Sequence, residues 1–109
     1  MSAELSKPAR VLLFGNDAEL LSTRARVLQS AGVIAEIALQ VDDFADAASR
    51  YDGVVCCYTA TEEECKEIIA IAARNQTPLL KVEPLLQPPE LIRQVNNLLS
   101  QGHLGLSAH

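Results

Sequence analysis

Three thiols and a few carboxylates are the groups in this chain best suited to chemistry. Cys56 and Cys57 lie in an apolar run, Val54 to Tyr58, and Cys65 follows in a segment opened by Thr61-Glu62-Glu63-Glu64. Neighbours on a strand point to opposite faces, so a bond between Cys56 and Cys57 would be strained and core burial is the default for both. Cys57 also has a sharper reading. At the C-terminal edge of a sheet, close to helix N-termini that lower a thiol pKa, it would be the centre of a small thiol-dependent redox or transfer protein. Glu62, Glu63 and Glu64 oppose that role by disfavouring the thiolate. No Cys-x-x-Cys or helical His pair is present, and His103 and His109 fall in the C-terminal tail, so no metal site is expected. Gly15 stands alone, without a Gly-x-Gly-x-x-Gly or a P-loop, and no Ser, His and Asp pattern reads as a triad. No cofactor is expected.

The elements that must position these groups belong to a chain of 109 residues, 49% hydrophobic and 21% charged, within the ordinary globular range. One domain is the natural count. An odd number of cysteines, two of them adjacent, with no apolar leader among the first residues, leads to the expectation of free thiols in a reducing cytoplasm. No run is long and apolar enough for a membrane span, so no membrane partner is expected. The net charge is −5 and the basic residues are scattered, which argues against a nucleic-acid partner.

Arg10 to Phe14 is a short apolar run ending at Gly15-Asn16, as expected of a strand buried on both faces. Asp17 can cap a helix whose apolar positions Leu20, Leu21, Ala25, Val27, Leu28 and Ala31 recur at helical spacing, with Gly32 as the stop. Val33, Ala35, Ile37 and Leu39 alternate as one face of an edge strand. A short helix follows from Asp42 or Asp43 on Phe44, Ala47, Ala48 and Tyr51. Val54 to Tyr58 is the second run apolar on both faces. Thr61 and Glu64 match a capping box for a helix carrying Cys65, Ile68, Ile69 and Ala72. Leu79 to Val82 reads as a fourth strand with one wet face. Pro88 and Pro89 open the last helix, on Leu91, Ile92, Val95, Leu98 and Leu99, with Gly102 as its stop. Residues 1–9 read as a flexible arm, 10–102 as the domain and 103–109 as a tail. Strands alternating with helices imply a doubly wound parallel sheet with helices on both faces. Placing the two both-face runs centrally gives the order 2-1-3-4.

Taken with Arg10-Val11-Leu12-Leu13-Phe14 before Gly15-Asn16-Asp17-Ala18-Glu19-Leu20-Leu21, and with Gln87-Pro88 before the last helix, this pattern resembles the receiver domain of bacterial two-component response regulators. The resemblance spans roughly residues 10 to 100 in element order. It implies a nucleophilic carboxylate ending strand three, two acids ending strand one to hold Mg²⁺, a hydroxyl residue ending strand four, and a lysine before the last helix. The corresponding residues are Cys57, Gly15 and Asn16, Glu83, and Gln87, all of which depart. Cysteine forms no acyl phosphate, only Asp17 remains acidic in the turn, and Glu83 places negative charge where a phosphate would sit. Asp52 is no substitute, because it precedes strand three and lies at the opposite end of the sheet.

A pseudo-receiver of this kind is expected to lack aspartyl phosphorylation and enzymatic activity, and to act by protein association. The stretch between strand four and the last helix, Glu83 to Pro88, is too short for a crossover helix, so the fourth helix of the receiver pattern is missing and the outer strand is left open. Leu79, Lys81, Glu83, Leu85 and Leu86 are therefore the expected contact residues, unless the leucines tuck under the last helix. The partner is another protein chain, most simply a second copy. A thiol-dependent redox or transfer protein centred on Cys57 and a stand-alone structural relic are the competing readings.

Overall fold

The computed structural model of the chain describes residues 8–82 and 86–107, the last seven by backbone only. Its elements run β1 (Arg10–Phe14), α1 (Ala18–Ser30), β2 (Ile34–Ala38), α2 (Val41–Ala45), a 3₁₀ turn at Ala48–Arg50, β3 (Gly53–Cys57), α3 (Glu62–Arg74), β4 (Leu79–Val82) and α4 (Pro88–Ser107). The four strands form one parallel sheet in the order β2-β1-β3-β4. This is a doubly wound α/β architecture, as the placement of the two both-face apolar runs required. All five residues of β3 are buried, as are four of five in β1.

The sheet separates two apolar layers. Val11, Leu13, Val55, Cys57 and Val82 face α1 and α4, where Leu21, Leu28, Leu91 and Val95 meet them. Leu12, Phe14, Val54 and Cys56 face α2 and α3, against Phe44, Cys65, Ile68 and Ala72. Burying a side chain as large as Phe14 or Phe44 contributes about 1.5–3 kcal/mol. Most of that stabilisation converges on β1 and β3, which makes their C-terminal ends the best-anchored points for a site.

The helix ends follow their chemistry. Asp17 caps α1 by accepting from the Leu20 N–H at 3.1 Å, and Gly32, at φ 88°, closes the other end while the Val33 N–H reaches the Leu28 carbonyl. The capping box of Thr61 and Glu64 opens α3. That helix stops in the same left-handed geometry as α1, but with Gln76 at φ 56° in place of a glycine, and the Thr77 N–H donating to the Ala72 carbonyl.

Three expectations need correction. The helix expected over Phe44 to Tyr51 is divided into the single turn of α2 and the 3₁₀ turn, since Tyr51 leaves the helical path to donate its hydroxyl to Glu36 Oε1 at 2.8 Å. The strand expected over Val33 to Leu39 narrows to Ile34–Ala38, and Val33 and Ala35 are buried as expected, but Ile37 and Leu39 are 40% and 42% exposed. The helix α4 does not stop at Gly102: its backbone continues to Ser107 through the segment expected as tail. A glycine inside a helix costs only about 1 kcal/mol relative to alanine, and no proline follows to block the next turn. Residues 1–7, 83–85 and 108–109, which include most of the expected N-terminal arm as well as Glu83 and Leu85, lie outside the described residues. Among the described residues, no helix is long and apolar enough to cross a membrane.

Candidate functional site

The C-terminal ends of β1 and β3 bring three of the expected pocket residues together, Gly15, Asn16 and Cys57. Gly15 follows β1 directly beside Cys57, and a Cβ built on Gly15 would lie 3.3 Å from the Cys57 Cβ and collide with the Thr59 hydroxyl oxygen. Only glycine allows that approach. The Thr59 hydroxyl is thereby free to accept the Asn16 N–H at 2.9 Å. The Asn16 side chain completes the tie, its Nδ2 donating to the Thr59 carbonyl and to Glu64 Oε1, both at 2.9 Å.

The turn after β1 is therefore stapled to the loop after β3. Glu64 Oε1 also accepts from the Thr61 N–H at 3.0 Å, so one carboxylate oxygen joins the capping box of α3 to the β1 turn. The Thr61 N–H, the Asn16 side chain and the Thr61 hydroxyl together hold the Glu64 carboxyl below its ordinary 4.5. Asp17 is engaged as the cap of α1, and Gln87 contributes its backbone carbonyl to the first turn of α4, accepting from Leu91 at 2.9 Å. Gly15, Asn16 and Cys57 thus meet, and Asp17 and Gln87 serve helix ends.

Cys57 lies 2% exposed on the α1 and α4 side of the sheet. Burial pushes its thiol up to about 11, against the opposing pull of the Arg24 guanidinium. This weakens the case for Cys57 as a nucleophile. Arg24 itself is 6% exposed, and its Nη1 has no hydrogen-bond partner among the described residues. Sequence reasoning passed over Arg24, although a cation three residues after Leu21 and four before Leu28 falls on the buried stripe of α1. It also passed over Thr59, whose role depends on a loop-to-loop contact that leaves no periodic trace.

On the opposite face of the sheet, Cys56 and Cys65 meet. Their sulfurs are 3.2 Å apart, with Cys56 donating to Cys65. Burial and the neighbouring Cys65 raise the Cys56 thiol well above its ordinary range. A cavity of about 550 Å³ opens beside them, lined by all three cysteines with Tyr58, Thr61 and Lys81. Among the described residues no group of three His, Cys, Asp or Glu side chains is placed to hold a metal ion.

The residues expected at a β4 contact are distributed differently. Leu79 is half-buried against the α2 and α3 layer, and Leu86 against the α1 and α4 layer, while Lys81 is exposed. At the N-terminal end of the sheet, the Arg10 N–H donates to Asp52 Oδ2 at 2.8 Å, which keeps Asp52 remote from Cys57 as its place before β3 required.

No family model matches the sequence, and no curated protein is similar to it by sequence. Solved structures do share the fold. The lactose-specific IIB component domain of the phosphoenolpyruvate:carbohydrate phosphotransferase system from Streptococcus pneumoniae superposes with a TM-score of 0.70 at 14% identity, covering 84% of this chain and 97% of that one. A de novo designed Rossmann 2x3 fold protein superposes with a TM-score of 0.61 at 14% identity, over 86% and 91% of the two chains. The fold is a Rossmann-like, flavodoxin-like α/β domain.

The first match corrects the expectation that the chain is not an enzyme. That expectation followed mainly from the missing acid, hydroxyl and lysine set of a receiver, whereas the same fold serves a component of a phosphotransferase system. The loss of receiver groups is therefore no argument against group transfer on this scaffold.

Proposed function

We propose that the chain is a receiver-like signalling module whose output is association with a second copy of itself through the β2 edge. The observation that carries the reading is a lightly guarded apolar edge. Ile34 and Ile37 on β2 and Leu39 just beyond it are 36%, 40% and 42% exposed. Soluble proteins blunt open edges with charge, proline or bulges. The β4 edge has the exposed Lys81, but the single charge within β2, Glu36, is already engaged by the Tyr51 hydroxyl and by Arg10 Nε at 3.8 Å. Gln29 Nε2 covers the Ala35 carbonyl at 3.3 Å, and the rest of the outward edge of β2 favours pairing with a second copy about a two-fold axis.

The receiver part of the proposal rests on element order and on the closed β1 turn. Asn16 and Thr59 tie this turn to the loop after β3, at the end of the sheet where the receiver resemblance puts its degenerate pocket. The test is sedimentation velocity on the full chain at high micromolar concentration, with Ile37→Lys beside it. A dimer in the parent and a monomer in the variant is the expected result. A monomeric parent, or an unaltered dimer in the variant, refutes the β2 interface.

A second reading is favoured by one observation, the fold shared with a phosphotransferase-system component. In that reading the chain is a transfer component, with Cys57 as acceptor and Arg24 as the buried cation beside it. The burial of Cys57 and its high thiol pKa place this reading second. Intact mass after incubation with a small phosphoryl donor distinguishes the two, because only the transfer reading leads to a phosphoryl adduct that Cys57→Ser removes.

A further inference from the structure

We propose that Cys56 and Cys65 form a reversible disulfide, which makes the β3 to α3 corner an oxidation site for a hydroperoxide. The two sulfurs lie 3.2 Å apart in the folded chain, already in contact across the junction between a central strand and the first turns of a helix. Closing to the covalent length of about 2.05 Å takes a movement of about 1 Å. Forming the disulfide draws that movement from rotation of the two side chains and a small shift of the first turn of α3.

The third thiol is excluded by geometry. Cys57 belongs to the α1 and α4 layer and Cys56 to the α2 and α3 layer, so these sequence neighbours point to opposite faces of the sheet. Cys65 shares a layer with Cys56. The cavity of about 550 Å³ beside the pair gives a small oxidant its approach.

Chemically, Cys65 is the attacking sulfur. It is the more exposed of the pair, at 9% against 3%. As a thiolate, its sulfur attacks one peroxide oxygen and the O–O bond breaks. The departing hydroxide takes up the thiol's proton as water, leaving a sulfenic acid on Cys65. The Cys56 sulfur then attacks the Cys65 sulfur, the S–O bond breaks, and the second hydroxide leaves with the Cys56 proton as water. Two thiols lose two electrons, and one hydrogen peroxide becomes two waters.

The disulfide would also be felt at the β1 turn. Cys65 follows Glu64, whose carboxylate holds Asn16 and Thr61, so drawing the first turns of α3 towards β3 disturbs that staple.

The experiment treats the folded full chain with a small excess of hydrogen peroxide, then unfolds and alkylates it. Trypsin leaves all three cysteines in one stretch between Arg50 and Lys66, so a glutamate-specific protease is used to cut after Glu62, Glu63 or Glu64. The expected result is a loss of about 2 Da, one thiol left to alkylate, and the Cys65 fragment joined to the Cys56-Cys57 fragment until dithiothreitol releases it. The mass loss persists in Cys57→Ala and disappears in Cys65→Ala. Three alkylated thiols in the treated parent chain, or an undiminished loss of 2 Da in Cys65→Ala, would overturn the assignment. The parent-chain measurement needs no variant to fold, and it is independent of whether the protein dimerises.

Discussion

Asn16 joins two loops 43 residues apart in sequence, and it does so as a donor where a receiver would present an acceptor. A carboxylate here could hold a cation, whereas an amide can donate to the Thr59 carbonyl and the Glu64 carboxylate at once. Asn16→Ala leaves the backbone bond to Thr59 and removes both side-chain bonds. The expected cost is about 1 kcal/mol, set by the Thr59 carbonyl that loses its donor, and urea melts at pH 7 measure it. The pH dependence has a definite sign. Because the Glu64 carboxyl is held below 4.5 in the fold, the stability it contributes is present above that value and is lost as the pH falls through the lower folded value. Asn16 is one cause of the depression, so the difference between parent and Asn16→Ala should shrink as melts are repeated from pH 5 downwards. A difference that grows in acid would show that Glu64 is not the partner that matters.

At the scale of elements, the two ends of α1 and α3 offer a direct comparison. Both helices close with a left-handed residue, but α1 uses Gly32 and α3 uses Gln76. A side chain at φ 56° costs roughly 1 kcal/mol relative to glycine in the same geometry. Gln76→Gly should therefore raise the stability of the domain by about that amount, as a shift of the urea midpoint with unchanged slope. A loss of stability would mean that Gln76 makes contacts that outweigh its strain. The contrast also shows what was legible in advance. Gly32 announced its turn, and Arg10 to Phe14 and Val54 to Cys57 announced central strands, because those signals are local and repeat at the period of the structure. Gln76 announced nothing, since its conformation is imposed by the Thr77 to Ala72 hydrogen bond. The same reason hid Thr59 and the meeting of Cys56 with Cys65, which are products of topology. On β2, alternation correctly marked a strand but not its coverage, because Val33 and Ala35 are buried while Ile37 and Leu39, further along the chain, are left open.

For the whole molecule the deciding quantity is charge. Each chain carries −5 at pH 7, so two copies repel as they approach, whatever surface they use. An interface built on Ile34, Ile37 and Leu39 gains from apolar burial and strand pairing, neither of which weakens when salt screens charge. Screening therefore removes repulsion and leaves attraction untouched. Raising the salt from about 0.05 to 0.5 M shortens the Debye length from roughly 14 to 4 Å, which places the charges of one copy largely out of reach of the other. The dimer should tighten by a few-fold across that range, measured as the dissociation constant in sedimentation equilibrium. An interface held by cross-chain ion pairs would respond in the opposite direction. Association at the exposed Lys81 of the β4 edge, paired with a carboxylate on the partner, belongs to that second class. A dimer that loosens with salt would therefore exclude the β2 edge as the principal contact and return attention to β4, with no need for a mutant or a crystal to distinguish them.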